Sequence, residues 1–295
     1  MEMRQPVAAG KLYENSFDKL HKEIEGCFYA SSGPGDLPVK RSNRRVFGIV
    51  SPHSGYMHAG EAQAWAYKEI AESSLPATYI IIGTSHMPNN NFPTILDSWQ
   101  TPFGIVNVDK SFVLNLVDKH GSIALDASAF GSDISIEMQI PFLQFVTKDR
   151  LPELKIVPLL VSSTDYKACC DLAKVISGIS SNICIIASSD FTHYGAKYNY
   201  IPFVHNKKTG IYALDRRAIE YIELLKADKF LEYVRRTKTN ICGAGAIAVA
   251  IELVKILGAG SGRLLQYYTS ADILERANVR DAYNNTIGFA GIVFE

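Results

Sequence analysis

Five short apolar runs, rich in Ile and Val, constrain the fold of this chain more than any other feature. They are 46–50 (VFGIV), 78–82 (TYIII), 155–161 (KIVPLLV), 182–187 (NICIIA) and 286–294 (TIGFAGIVF). Several are apolar at consecutive positions, which is typical of strands covered on both faces. Segments of helical periodicity lie between them, and residues 46–82 have the length and order of a βαβ unit. The pattern predicts an α/β fold with a central, mostly buried, mixed sheet and helices on both faces.

The helices expected between these strands follow from apolar residues recurring every three or four positions. They are predicted at 17–28, 60–72, 111–120, 165–177, 212–226 and 243–257. No low-complexity linker, charge run or internal repeat separates the segments. The 295 residues are therefore predicted to form a single domain, residues 1–295.

Composition excludes several classes of function. Thirty basic and thirty acidic residues cancel, so no strong field would recruit nucleic acid or an anionic membrane. The apolar runs are far shorter than the ~20 residues that span a bilayer, and the N-terminus lacks a hydrophobic signal core. Five cysteines without CxxC spacing argue against a disulfide framework or a Cys-rich zinc site. A cytoplasmic protein that binds no nucleic acid and no membrane is expected.

Three of the seven histidines stand where a predicted strand ends. His53 closes VFGIVSPH, His86 closes YIIIGTSH, and His193 lies just beyond NICIIASSD. Ligands bind at the carboxyl edge of open α/β sheets, and imidazole is the commonest metal ligand. A single histidine after a strand is usually a loop residue, but three at equivalent positions favour a shared metal site if the strands are neighbours.

Other polar residues near these motifs extend the candidate site. Cys242 precedes a small-residue-rich helix, where a thiolate is stabilised, so it is either a nucleophile, a soft metal ligand or a buried thiol. Asp190 could orient His193, ligate metal or cap the turn. Glu137 belongs either to an exposed helix face or to the pocket. No GxGxxG loop follows a strand, and no GxSxG elbow occurs.

Six motifs together resemble the Memo (mediator of cell motility) family. In chain order they are RQPVAAGKLY, SPHSGY, GTSH, SIEMQIP, SSDFTHYG and NICG. The resemblance implies a fold similar to the class III, non-haem-iron extradiol dioxygenases, in which two histidines and a carboxylate hold iron. It also implies two histidines and a cysteine as metal ligands, here His53, His86 and Cys242. Asp190 and His193 fall in the SSDF-x-H motif and are expected to handle protons.

The same resemblance indicates cofactors and neighbours of the site. Iron or copper is the expected metal and zinc also fits, because a His₂Cys set suits copper or zinc. Tyr56, the last residue of the PH-x-GY motif, and His58, two residues beyond it, are expected in the pocket or around the ligands, as is Glu137. Ile134 and Gln139 stand where some relatives carry histidine, and Met87 replaces a second histidine after GTSH.

Three functions remain open at this point. The first is metal-dependent redox catalysis on an unknown substrate, with His193 moving protons. The second is a non-catalytic module that binds a peptide or a small anionic ligand in the same pocket. The third is metal-free catalysis, with Cys242 as nucleophile, His193 as base and Asp190 orienting it. The substrate, the partner and the oligomeric state do not follow from the sequence.

Overall fold

The computed structural model describes residues 3–85 and 92–295. His86 and Met87 lie outside the described residues. The strands are β1 (Met3–Arg4), β2 (Gly48–Ser51), β3 (Thr78–Thr84), β4 (Phe92–Thr94), β5 (Ser98–Thr101), β6 (Gly104–Val108), β7 (Ile123–Leu125), β8 (Lys155–Val161), β9 (Ile183–Ser188), β10 (His193–Gly195), β11 (Gly262–Thr269) and β12 (Asn285–Phe294). The α-helices are α1 (Phe17–Tyr29), α2 (Tyr56–Ala71), α3 (Lys110–Lys119), α4 (Ile140–Val146), α5 (Tyr166–Ser177), α6 (Lys207–Glu223), α7 (Ala227–Thr237), α8 (Ala244–Leu257) and α9 (Ser270–Arg276).

A mixed sheet forms the centre of the molecule, which confirms the predicted fold class. Its main path runs β1-β5-β6-β8-β3-β9-β2-β12-β10, with β11 paired to β12 and β4 paired to β7 and β8. The central strands β8, β3, β9 and β2 are parallel, while β12 runs antiparallel to β2, β10 and β11. Every residue of β2, β3 and β9 is buried, as expected for strands with apolar residues at consecutive positions.

Helices cover both faces of this sheet. A Cβ at Gly291 in β12 would meet the backbone of α2, whereas a Cβ at Gly288 would meet Asp215 of α6. Residues three apart in a strand point to opposite faces, so α2 and α6 lie on opposite sides. Helix α1 packs on α2, and α8 packs on β3, β8 and β9 beneath α5 and α7.

The order of the parallel strands determines where the site forms. β9 lies between β2 and β3, with Ser51 of β2 beside Ser188 of β9 and Ile82 of β3 beside Ala187. The strands that precede His53, His86 and His193 are therefore neighbours, and their carboxyl ends share one edge. This is the condition on which the predicted shared site depended.

The structure departs from the predicted elements in the last third of the chain. The helix predicted at 212–226 spans Lys207–Glu223 and is followed by a separate helix, α7. Leu225 adopts a positive φ of 53° between them, which a continuous right-handed helix does not permit. Strand β11 and the short helix α9 were not predicted. Across the described residues, none of the helices is both long and apolar enough to span a bilayer.

Candidate metal centre

Three donor side chains meet at the carboxyl edge of the sheet. The donor atoms of His53, Asp190 and Cys242 all lie within 4.8 Å of one another, the only such group of three or more among residues 3–85 and 92–295. His53 and Asp190 are buried, and Cys242 is half-buried. Two of the predicted metal ligands, His53 and Cys242, are thus brought together. The third, His86, lies outside the described residues.

Cys242 reaches His53 because a glycine follows it. Cys242 directly precedes Gly243, the N-cap of α8. A Cβ at position 243 would lie 2.5 Å from the carbonyl oxygen of Ser188 and from the Cβ of Ser189, and no side chain fits at that distance. The chain before α8 can therefore approach the end of β9 closely enough to place the sulfur beside the imidazole.

The sulfur of Cys242 contacts His53 directly. Its Sγ lies 3.3 Å from His53 Nε2 and accepts a hydrogen bond from the backbone N–H of Asp190 at 3.2 Å. Tetrahedral coordination with ordinary zinc–ligand bond lengths separates a sulfur and a nitrogen ligand by about 3.5 Å. The observed contact is close to that spacing, so the two atoms are placed much as two ligands of one metal ion would be.

A hydrogen-bond chain behind His53 fixes which ring nitrogen faces the sulfur. The hydroxyl of Ser188 donates its one proton to the carbonyl of Ser135 (2.6 Å) and accepts from the amide of Gln139 (2.9 Å). The contact between His53 Nδ1 and Ser188 Oγ, at 2.9 Å, must then have Nδ1–H as the donor. The coordinating lone pair of a neutral imidazole is consequently on Nε2, toward Cys242, as metal ligation requires.

The electrostatics of the cluster favour a cationic species at this position. Burial lowers the pKa of His53, but the neighbouring Cys242, Asp190 and Asp133 outweigh it and raise the pKa to about 10. The adjacent sulfur and carboxylate thus stabilise a proton on His53 when no metal ion is bound. A divalent metal ion would replace that proton, because metal ligands bind in their deprotonated forms.

No described hydrogen bond joins His193 to the carboxylate of Asp190, for which the sequence left three roles open. Its carboxylate accepts hydrogen bonds from the backbone N–H of His53 (2.9 Å) and from the backbone N–H and hydroxyl of Ser54 (3.3 and 2.6 Å). The carboxylate is therefore directed to the loop after β2, where it fixes the backbone of His53 and adds a third donor atom.

His193 is positioned by backbone contacts instead. Its Nδ1 lies 2.9 Å from the carbonyl of Phe191, and the side chain of Asn240 pairs with both its backbone N–H and its carbonyl. A carbonyl only accepts, so Nδ1 carries the proton and Nε2 of the neutral ring is a proton acceptor. Burial and the nearby His53 lower the pKa of His193, although Asp190 and the backbone contacts partly oppose this.

A cavity of about 440 Å³ opens beside the cluster. It lies at the ends of β3 and β8, and its described lining includes Thr84, Val161, His193, Tyr198, Asn240 and Cys242. Its size is within the range of small-molecule sites. Cys242 and His193 are therefore both within reach of a small molecule in this cavity.

Glu137, predicted for the pocket or an exposed helix face, has a different role. It is fully buried and accepts hydrogen bonds from the backbone N–H groups of Val7 and Ala8 and from the hydroxyl of Tyr13. It also forms an ion pair with Arg4. Its described contacts all go to the N-terminal segment, so it anchors that segment rather than the donor cluster.

Tyr56 and His58, also expected near the pocket, lie at the start of α2. The hydroxyl of Tyr56 donates to the carbonyl of Met138 at 2.9 Å, and its ring stacks on Tyr13. His58 is half-buried with its Nδ1 unpartnered, and burial lowers its pKa. Neither has a described hydrogen bond to His53, Asp190 or Cys242.

Residues that support the site escaped the sequence analysis. Ser188 contacts the ring of His53 and Asn240 holds the backbone of His193, yet serine and amide side chains are common and give no local signal. Gln139 was noted only as a position where some relatives carry histidine, and its contact with Ser188 was not foreseen. Asp215 of α6 accepts hydrogen bonds from the backbone N–H and hydroxyl of Thr192 and from the hydroxyl of Tyr267. Burial raises the pKa of Asp215 to about 6. It holds the backbone between Asp190 and His193.

The fold and the donor cluster define a class: an α/β protein with a candidate metal site at the carboxyl edge of its parallel strands. Comparison with known proteins then identifies the family. The profile of the family described as Memo-like protein matches residues 4–291. The chain belongs to this family.

Archaeal relatives match nearly the whole chain. A MEMO1 family protein from Methanopyrus kandleri is 36% identical, with 99% of this chain and 98% of the relative covered. A MEMO1 family protein from Methanothermobacter thermautotrophicus is 32% identical, with 92% of this chain and 95% of the relative covered. Among solved structures, an uncharacterized protein from Escherichia coli K12 has a TM-score of 0.53 at 12% identity. The match covers 85% of this chain and the whole of the Escherichia coli chain, and it shows similarity of fold alone.

Proposed function

We propose that this protein binds a metal ion through His53 and Cys242, with Asp190 and His86 completing the donor set, and carries out metal-dependent redox chemistry on a small molecule. The observation that carries the proposal is the convergence of three donor atoms within 4.8 Å beside a cavity of about 440 Å³. Iron or copper is the proposed metal, and zinc also suits nitrogen, sulfur and carboxylate ligands.

A metal ion bound here would supply a Lewis acid and, in the case of iron or copper, an electron carrier. The chain's own residues supply orientation and proton transfer. Ser188 and Gln139 hold the His53 ring, and Asp190 holds its backbone. His193, which lines the cavity, is neutral at pH 7 because its pKa is lowered. It can therefore accept a proton from a bound hydroxyl compound at Nε2.

Oxygen consumption by metal-loaded protein tests this function. Protein reconstituted separately with iron, copper and zinc would be assayed on catechol-like compounds. Replacing His193 with glutamine is expected to lower kcat by ~10²–10⁴ without changing metal content. In the unchanged protein, activity should rise with pH through a pKa below 6.5 and then level off, because His193 must be neutral to act as a base. The His193→Gln variant should lack this rise of activity with pH.

His120 provides a matched control, since it lies at the end of α3 and binds the backbone of Ser122. The His120→Gln variant should keep the unchanged rate and pH profile. Turnover that persists fully after removal of metal would contradict the proposal. So would the same rise of activity with pH in the His193→Gln variant as in the unchanged protein. Tight ligand binding without turnover would instead favour a binding module.

A second function is favoured by the 3.3 Å contact between Cys242 Sγ and His53 Nε2. A cysteine paired with a protonated imidazole is the arrangement of thiol nucleophiles. His53, rather than the expected His193, would be the partner of the sulfur. Activity that survives chelation but is lost on alkylation of Cys242 would support this function over the metal-dependent one.

A further inference from the structure

A second cavity lies at the opposite edge of the sheet. It has a volume of about 310 Å³ and is lined by residues at the starts of β3 and β8 and by the segments around Arg41 and Ser74. Tyr79 stands near the start of β3, whereas Thr84, which lines the cavity beside Cys242, ends the same strand. Five residues of strand span about 17 Å. The two cavities have no described lining residue in common.

Two buried hydrogen-bond donors in this second cavity have no acceptor. The side chain of Tyr79 is 3% exposed, and its hydroxyl has no partner among the described residues. The Nε of Arg41 is also buried and unpartnered, although the other two guanidinium nitrogens bind Asp149 and the carbonyl of Val146. Buried polar groups are nearly always hydrogen-bonded, so two such groups lining one cavity indicate a missing partner.

Both groups can donate a hydrogen bond to that partner. Arginine Nε–H can only donate. Burial raises the pKa of Tyr79, with further increases from Cys184 and Asp149 and a smaller opposing effect of Arg41, so its phenol stays protonated and can donate. Tyr79 and Arg41 both line this cavity.

The charged side chains of the lining favour a negatively charged partner. Arg41, Arg150 and Lys155 line the cavity together with one acidic residue, Glu153. Arg41 is paired with Asp149, and Arg150 with Glu153. Lys155 is exposed and forms no ion pair among the described residues, although it is one of the groups that lower the pKa of Asp109. It is therefore the lining cation most available to a ligand.

We propose that this cavity is a binding site for a small oxyanion, the carboxylate or phosphate group of a small metabolite, held by Tyr79, Arg41 and Lys155. Its oxygens accept hydrogen bonds from the two orphaned donors, and its charge pairs with the lysine. The site is separate from the donor cluster of His53 and does not depend on the proposed metal chemistry.

Calorimetric titration of the full chain, stripped of metal, with inorganic phosphate and with malonate tests the site. The ligand that binds more tightly identifies the group that the cavity prefers. Tyr79→Phe removes the unpaired hydroxyl but keeps the ring, so the fold should be retained. This substitution is expected to weaken binding about tenfold or more, since hydrogen bonds to charged groups are strong. Lys155→Met should also weaken it.

Lys148→Met is the matched control, because Lys148 lies outside this cavity and stacks on Phe145. It should bind the anion as the unchanged protein does. If Lys155→Met and Lys148→Met weakened binding equally, the loss would reflect only the net charge of the protein, and the proposal would be overturned. So would unchanged affinity in Tyr79→Phe, or the absence of saturable binding of either anion. Loss of binding in His53→Ala with retention in Tyr79→Phe would place the anion at the donor cluster instead.

Discussion

Replacing Cys242 with serine, or His53 with alanine, is expected to reduce bound metal from about one ion per chain to below about a tenth. Each substitution removes one of the donor atoms that lie within 4.8 Å of one another. Serine keeps nearly the shape of cysteine but loses the thiolate, so the change reports on ligation rather than packing. Mass spectrometry of metals in protein purified without chelators and reconstituted with one metal at a time makes the measurement.

Cys170→Ser is the matched control for the cysteine variant. Cys170 is half-buried on α5 and takes no part in the donor cluster. Its replacement should leave the metal content unchanged. If Cys242→Ser and His53→Ala both retain full metal, the ion is bound elsewhere and the assignment of the ligands is wrong.

Replacing Glu137 with glutamine is expected to lower the free energy of unfolding by about 3–5 kcal/mol. The glutamine would leave the guanidinium of Arg4 without its counter-charge in a site where both side chains are buried. An amide also accepts fewer hydrogen bonds than the carboxylate that binds Val7, Ala8 and Tyr13. Urea unfolding monitored by circular dichroism gives the free energy, and limited proteolysis should show earlier cleavage near the N-terminus.

Glu153→Gln removes an exposed ion pair with Arg150 and serves as the control. Its denaturation midpoint should equal that of the unchanged protein, because exposed ion pairs contribute little. A Glu137→Gln variant as stable as this control would show that Glu137 does not hold the N-terminal segment.

The sequence predicted the buried part of the sheet well, because strands covered on both faces are apolar at consecutive positions. Strand β8 spans Lys155–Val161 as expected, and β9 and β12 differ by one residue at their ends. Strand β11 was missed because five of its eight residues are only partly buried or exposed, and the strand shows neither the continuous nor the alternating pattern. The boundary between α6 and α7 depends on the positive φ of Leu225. A leucine in the sequence gives no indication of a positive φ, whereas a glycine would.

The candidate site was predictable where a residue type and a strand end coincide, as for His53, and where cysteine precedes a glycine-rich helix start, as for Cys242. The partners of these residues were not. Asp190 and His193 are three apart in sequence, but the carboxylate of Asp190 accepts its hydrogen bonds from His53 and Ser54, in the loop after β2. Ser188, Gln139 and Asn240 act across large sequence separations, which no local pattern encodes.

X-ray absorption spectroscopy of the metal-loaded protein tests the central claim most directly. A site built on His53 and Cys242 should give one sulfur ligand at about 2.3 Å and nitrogen or oxygen ligands at about 2.0–2.2 Å. The sulfur contribution should disappear in Cys242→Ser protein loaded at high metal concentration. A coordination shell of nitrogen and oxygen alone in the unchanged protein would contradict the account.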